Sequence, residues 1–298
     1  MKTMLTAVLL TVAAVTARYI RPEVLPRPRV TFAPSQWVDP SALPAAFDWR
    51  NEISVSPVRT QFLPQWCGSC WAMAVTSALA DRVMVMRSRQ GTAGAPISLS
   101  PQVLLDCGWT DKDVGSCNGG SWELAHQFIA ETGITEDSCS PYIGADRGCL
   151  HGARMCMTCN STGVCGPVEG ARRFHVEEYG YLNTTTEMQQ EILAHGPIVC
   201  SMFSHAPSWH CYNGTGVIRD DMRITETTHV INLAGWGTTA EGVDYWLGRH
   251  SGGSTWGEEG WFKIERGVNT LGIESHCGFA TVKDARPLRN DAQVFCEA

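Results

Sequence analysis

The segment Gln65-Trp66-Cys67-Gly68-Ser69-Cys70-Trp71-Ala72 carries the residue types best suited to covalent chemistry. Trp71-Ala72-Met73-Ala74-Val75-Thr76-Ser77-Ala78-Leu79-Ala80 and then Asp81 to Arg87 follow, a run of good helix formers without Gly or Pro. The spacing predicts a helix over 70–87 with Cys70 in its first turn and Gly68-Ser69 making a sharp entry. The partial positive charge of a helix N-terminus favours a thiolate. A thiolate is the form that attacks carbonyl carbon. A buried structural cysteine at a helix start fits the same local pattern, so this feature alone leaves both readings open.

The cysteine count bears on the choice. There are 13 cysteines, an odd number, so at least one is left over if the rest pair. Lys2, the apolar run Met4–Val15 and the small residues Val15-Thr16-Ala17 read as a secretory signal peptide over 1–17. No later stretch has the roughly 18 apolar residues of a membrane helix. The mature chain is therefore expected in an oxidising compartment, secreted or lysosomal/vacuolar, with no membrane span. Cys156-Met-Thr-Cys159…Cys165 has spacing that zinc could use, but oxidising conditions favour disulfides there. No metal and no cofactor are expected.

The elements that must position these residues follow from composition and pattern. Hydrophobic residues make up 44% of the 298 and charged residues 18%, which excludes intrinsic disorder for the chain as a whole. The formal charge of -7 argues against a nucleic-acid partner. Residues 18–42 hold five prolines and four arginines without periodicity, and read as a short basic pro-segment or a linker. Helical signals dominate early, at 70–87, 101–106 and 122–132, with a later helix at 187–194. β-rich runs follow at 198–203, 229–234, 244–247 and 260–265. This supports an α+β chain: a mainly helical domain packed on a β-barrel-like domain, with a cleft between them. Asn160, Asn183 and Asn213 head glycosylation sequons.

Cys67-Gly68-Ser69-Cys70-Trp71 is a complete match to the Cys-Gly-Ser-Cys-Trp signature of papain-like cysteine peptidases, and the chain resembles that family over most of 43–279. Leu43-Pro44-Ala45-Ala46-Phe47-Asp48-Trp49-Arg50 is similar to the start of the family's mature domain. Cys117-Asn118-Gly119-Gly120 is similar to its segment beside the substrate cleft. His229 to Gly237 is similar to the strand with the catalytic histidine, and Trp256-Gly257…Gly260-Trp261 to a later stretch. The resemblance implies the papain-like two-domain fold, with a helical left domain (43–165), an antiparallel β-barrel-like right domain (166–280) and the active-site cleft between. Residues 281–298 extend past it. Cys70 would then be the nucleophile on one wall and His229 the base and acid on the other. Gln61 would serve the oxyanion together with the Cys70 N–H. Gly119, Gly120, Phe62, Pro64, Trp66 and Trp256 would line the substrate cleft.

The family's pairing implies Cys67–Cys117, Cys107–Cys149, Cys139–Cys156, Cys159–Cys165 and Cys200–Cys277. Cys211–Cys296 is left by elimination, and Cys70 stays free. Peptide or protein substrates, the chain's own pro-segment and protein inhibitors of cysteine peptidases are the implied partners.

Two departures stand out. Gln61 lies nine residues before Cys70, a longer interval than usual, and Phe62-Leu63-Pro64 fills it as a short loop. That loop, the short pro-segment and the Cys156–Cys165 cluster resemble the cathepsin X branch. There a loop histidine holds the substrate carboxylate and confers carboxypeptidase action. Phe62 stands at that position and cannot bind a carboxylate. The second departure is His250-Ser251-Gly252, where the family has Asn-Ser-Trp. A neutral His250 would accept a hydrogen bond from His229 and fail to do so once protonated, so activity is expected to be lower and lost at acid pH. In the alternative, the chain is a catalytically silent peptide-binding homologue.

Overall fold

The computed structural model describes residues 38–108, 113–150 and 153–282. The expected signal peptide, most of the expected pro-segment, Cys296 and the extension from 283 onward lie outside the described residues.

Helix α1 runs Cys70–Arg89, and residues 71–85 are all buried. A helix apolar or small on every side belongs in the interior. Arg87 and Arg89 occupy its last turn, where cations complement the helix dipole. Pro101 opens the one-turn helix α2, Pro101–Val103, and Ser100 caps it by accepting the Val103 N–H. The chain then widens into a π-helical turn over Leu104–Gly108. Helix α3, Trp122–Thr132, is capped by Ser121. Helix α4, Thr185–His195, starts two residues before the sequence reading placed it. Thr184 Oγ1 accepts the Glu187 N–H while Glu187 Oε2 accepts the Asn183 N–H, and such a box fixes a helix start. A single turn, α5, spans Pro207–His210.

The first strand, β1 (Phe47–Asp48), pairs with a later one, and two short antiparallel hairpins follow: β2 (Gly115–Ser116) with β3 (Gly119–Gly120), and β4 (Met157–Cys159) with β5 (Cys165–Pro167). The main sheet comprises β6 (Val176–Leu182), β7 (Ile198–Met202), β8 (His229–Thr238), β9 (Asp244–Arg249), β10 (Trp261–Glu265) and β11 (Cys277–Val282), with β1 beside β8. Its order is β10-β9-β8-β7-β11-β6, and neighbouring strands run antiparallel.

One buried cluster gathers α1, α3 and the segment around Leu99–Val114; a second gathers Trp49, α4 and the sheet. They interlock, because Val85 of α1 joins the second while Val199 and Val230 join the first. Buried ion pairs Arg82–Glu191 (2.8 Å) and Arg249–Asp81 (2.6 Å) tie α1 to α4 and β9. Asn232 Nδ2 donates to the Ala74 carbonyl at 2.8 Å, pinning β8 to α1. This last bond fixes the strand that begins at His229 against the helix that begins at Cys70.

Candidate active site

The local sequence around Cys70 is explained atom by atom. The Gly68 N–H donates to the Cys117 carbonyl at 2.7 Å, and Cys67 is bridged to Cys117. A Cβ at position 68 would stand 2.7 Å from that same carbonyl oxygen, so only glycine lets the two segments meet. Trp71 is fully buried against the β2–β3 hairpin, with its indole N–H donating to the Ser116 carbonyl at 3.3 Å. The chain is thus clamped on both sides of Cys70, which stands as the first residue of α1.

Cys67–Cys117, Cys107–Cys149, Cys139–Cys156, Cys159–Cys165 and Cys200–Cys277 are disulfides. Cys70 is unbridged and partly exposed, and Cys211 is unbridged among the described residues and exposed. Its expected partner, Cys296, lies outside the described residues. Asn160, Asn183 and Asn213 are all exposed.

Cys70, His229, Gly119 and Gly120 share the wall of one cavity of about 430 Å³. The Val230 N–H, directly after His229, faces the Cys70 sulfur together with the N–H groups of Trp71 and Cys70 itself. These donors favour the thiolate, but burial outweighs them and pushes the thiol up to about 11. Burial, with His205 adding, pushes His229 down to about 4. Burial thus opposes charge on both groups and works against the donors that face the sulfur.

Gln61 is buried and held at both ends of its amide. Its Nε2 donates to the Cys67 carbonyl at 3.0 Å and its Oε1 accepts from Ser251 Oγ at 2.7 Å. The backbone N–H of Gln61 also donates to the Ser251 carbonyl, and Tyr142 Oη donates to the Gln61 carbonyl, both at 3.0 Å. One amide hydrogen remains for an oxyanion. Ser251 was not singled out by the sequence reading, although it stands between His250 and Gly252 in the second departure noted there.

His250 and His229 cross edge to face, with ring centroids 4.8 Å apart and planes at 76°. His229 Nε2 and His250 Nδ1 are both buried without hydrogen-bond partners. The expected hydrogen bond from His229 to His250 is therefore absent, since the crossed rings do not bring the two nitrogens into line. Instead His250, 7% exposed, fills a box of rings. Trp256 lies 4.3 Å away, and Trp209 on α5 lies 5.1 Å from His250 and 6.0 Å from His229. Burial, with His229 adding, pushes His250 down to about 2.

A Cβ at position 252 would lie 2.6 Å from His250 Nδ1, so the imidazole occupies the room that a side chain at 252 would need. Trp256, expected in the substrate cleft, packs on His250 and does not line the cavity with Cys70. Phe62 (43% exposed) and Trp66 (59% exposed) stand on the surface loop with Leu63 and Pro64, outside that cavity.

Comparison with known proteins fits this geometry. Residues 43–282 match the family described as papain family cysteine protease. Cathepsin Z of Onchocerca volvulus is 38% identical over 226 residues, covering 74% of this chain and 70% of that protein. The solved structure of a mite allergen, described in a comparison of Blo t 1 and Der p 1, is 30% identical with a TM-score of 0.65, over 80% of this chain and 71% of that one. A cysteine protease from Carica candamarcensis superposes with a TM-score of 0.62 at 27% identity, over 80% of this chain and 98% of its own. With an unbridged cysteine opening the central helix, a histidine opening the facing strand, and a family match spanning both, the chain belongs to the papain family of cysteine proteases and is a cysteine peptidase.

Proposed function

We propose that the chain is a cathepsin X-like peptidase made as a zymogen in the secretory pathway, secreted or lysosomal. In this reading residues 1–17 are a signal peptide and 18–42 a pro-segment. Residues 43–165 and 166–280 form the two lobes of the cleft, and the three exposed sequons carry glycans. Peptides are the substrates, and protein inhibitors of cysteine peptidases are partners for the same cleft. No helix among the described residues is long and apolar enough to cross a membrane.

Cys70 Sγ gives up its proton to His229 and attacks the scissile carbonyl carbon. His229 Nε2 is buried, which leaves Nδ1 as the nitrogen for this exchange. Gln61 Nε2 and the Cys70 N–H receive the oxyanion, each donor contributing on the order of 3 kcal/mol. The His229 proton leaves with the amine, giving an acyl-thioester. A water deprotonated by His229 then releases the acid and restores the thiol. The observation that carries the reading is Cys70, unbridged among bridged neighbours, under the Val230 N–H and in one cavity with His229. Phe62 on the exposed loop offers no donor to a C-terminal carboxylate, which favours cleavage within peptides over carboxypeptidase action.

One observation favours a second reading, a peptide-binding protein without turnover: the unpartnered His229 Nε2 leaves the imidazolium without a hydrogen-bond acceptor. Mature protein is to be assayed on a mixed peptide pool under reducing conditions, with Cys70→Ala as control, alongside titration with an epoxide electrophile. Thiol-dependent turnover with stoichiometric labelling at Cys70 supports the peptidase. Peptide binding without turnover or labelling between pH 4 and 8 supports the silent homologue.

A further inference from the structure

We infer that the cavity beside Cys70 takes a lysine or arginine side chain of the peptide, with Glu123 as its counter-charge and His276 as the positioning residue that braces Glu123. The inference rests on the reading of this cavity as a peptide site.

Besides Cys70 and His229, the wall of the cavity carries Trp122, Glu123, Ser201, Glu226 and His276, and no lysine or arginine. The Glu123 side chain is only 4% exposed. It lies in the first turn of α3, where the helix dipole favours negative charge. Its Oε2 accepts from Ser121 Oγ at 2.6 Å, while its Oε1 lies 2.6 Å from His276 Nε2 without an aligned hydrogen bond and is a buried acceptor with no hydrogen-bond partner.

His276 is itself oriented. Ser201 Oγ accepts the Trp122 indole N–H at 3.2 Å and lies 3.2 Å from His276 Nδ1. Trp122 and Ser201 thus hold the ring that sits beside the carboxylate, and Oε1 is left as a buried, unpartnered acceptor on the wall of the cavity that holds the nucleophile.

The chemistry of the guest follows. A carboxylate has about four acceptor sites, and Glu123 uses one for Ser121 while Oε1 has no hydrogen-bond partner. An aliphatic side chain would strip water from the Glu123–His276 pair and return no donor. An acidic one would face both Glu123 and the exposed Glu226. A guanidinium or ammonium group supplies charge-assisted donors to Glu123 and can lie against the Trp122 ring.

The test uses two readouts. A peptide library varied at each position around the cleavage site is digested by the mature protein. In parallel, Cys70→Ala protein is titrated with blocked tripeptides that differ only in one residue, Arg, Leu or Glu. The expected result is about tenfold enrichment of Arg or Lys at one position, as one charge-assisted bond of this kind confers. Glu123→Gln should lower the Arg-to-Leu ratio toward one, and His276→Gln should lower it in part. In the titration the Arg peptide should bind about tenfold more tightly than the Leu peptide. Cleavage with no basic preference at any position overturns the inference while leaving the peptidase reading intact. If nothing is cleaved, the titration decides alone, and equal or weaker binding of the Arg peptide overturns it.

Discussion

Gly252 and His250 should behave as a single unit, and the structure says by how much. A Cβ added at 252 would sit 2.6 Å from His250 Nδ1 and 2.7 Å from Cε1. The imidazole cannot easily step aside. Trp209, Trp256 and His229 enclose it, and its backbone N–H is fixed to the Gly260 carbonyl at 2.9 Å. Gly252→Ala should therefore cost about 1–3 kcal/mol, the usual cost of overpacking a closed site. The same alanine should be nearly free once His250→Asn has emptied the space. A double-mutant cycle is then expected to give a coupling of about 1 kcal/mol or more, well beyond the roughly 0.5 kcal/mol within which independent sites add.

Activity should follow the same logic. His250→Asn places a carboxamide acceptor where His229 Nε2 has none. An acceptor for a group that becomes charged in the transition state gains about 1.5–3 kcal/mol. Gly252→Trp over His250→Asn then restores an apolar cover. The double variant should show kcat/KM raised at least tenfold over the parent, while Gly252→Trp alone should lower it. Thermal melts and kcat/KM per titrated active site measure both effects. Additive changes, or a Gly252→Ala protein as stable as the parent, would refute the reasoning that one ring holds the place of two side chains.

Three further expectations follow from the charge states and from cysteine parity. Alkylation of Cys70 should accelerate about tenfold per pH unit up to about pH 11 if burial governs the thiol; a rate already at its plateau at pH 5 would mean a standing thiolate–imidazolium pair. Burial lowers His126 to about 3 (Arg82 adding), His229 to about 4 and His250 to about 2, from the ordinary 6.5. The unfolded chain takes up these protons first, so stability is full above pH 6.5. It should fall toward pH 4 by at most about 1.4 kcal/mol per pH unit and histidine. Melting temperatures between pH 7 and 4.5 would reveal this, with a shallower slope in His126→Phe; a flat profile would count against buried neutral imidazoles. Peptide mapping of the non-reduced protein should recover Cys211 joined to Cys296, and a freely alkylated Cys211 in the full chain would rule that bridge out.

What was legible in the sequence is what local constraint writes into neighbouring residues. The Cys67–Trp71 segment reads clearly because each of its members is fixed by one near contact: Gly68 by the Cys117 carbonyl, Trp71 by the β2–β3 hairpin, Cys67 by its bridge. His229 lies 159 residues from Cys70 and carries no local signal of its own, so only the family resemblance pointed to it. The helix N-terminus at Cys70 is visible in the sequence, whereas the burial that opposes it exists only after folding. Ser251, Trp209 and the Glu123–His276 pair were invisible because each acquires its role from a partner on another element.

The two departures at 250 and 252 read in sequence as two separate losses from one site. In space they are a single exchange of volume: the imidazole that replaced the carboxamide took over the room of the missing indole, and Trp209 and Trp256 close over it. Packing around His229 is thereby kept while its hydrogen-bond acceptor is lost. Damage of that kind is expected to slow catalysis without unfolding the site, and its repair requires both positions to change together.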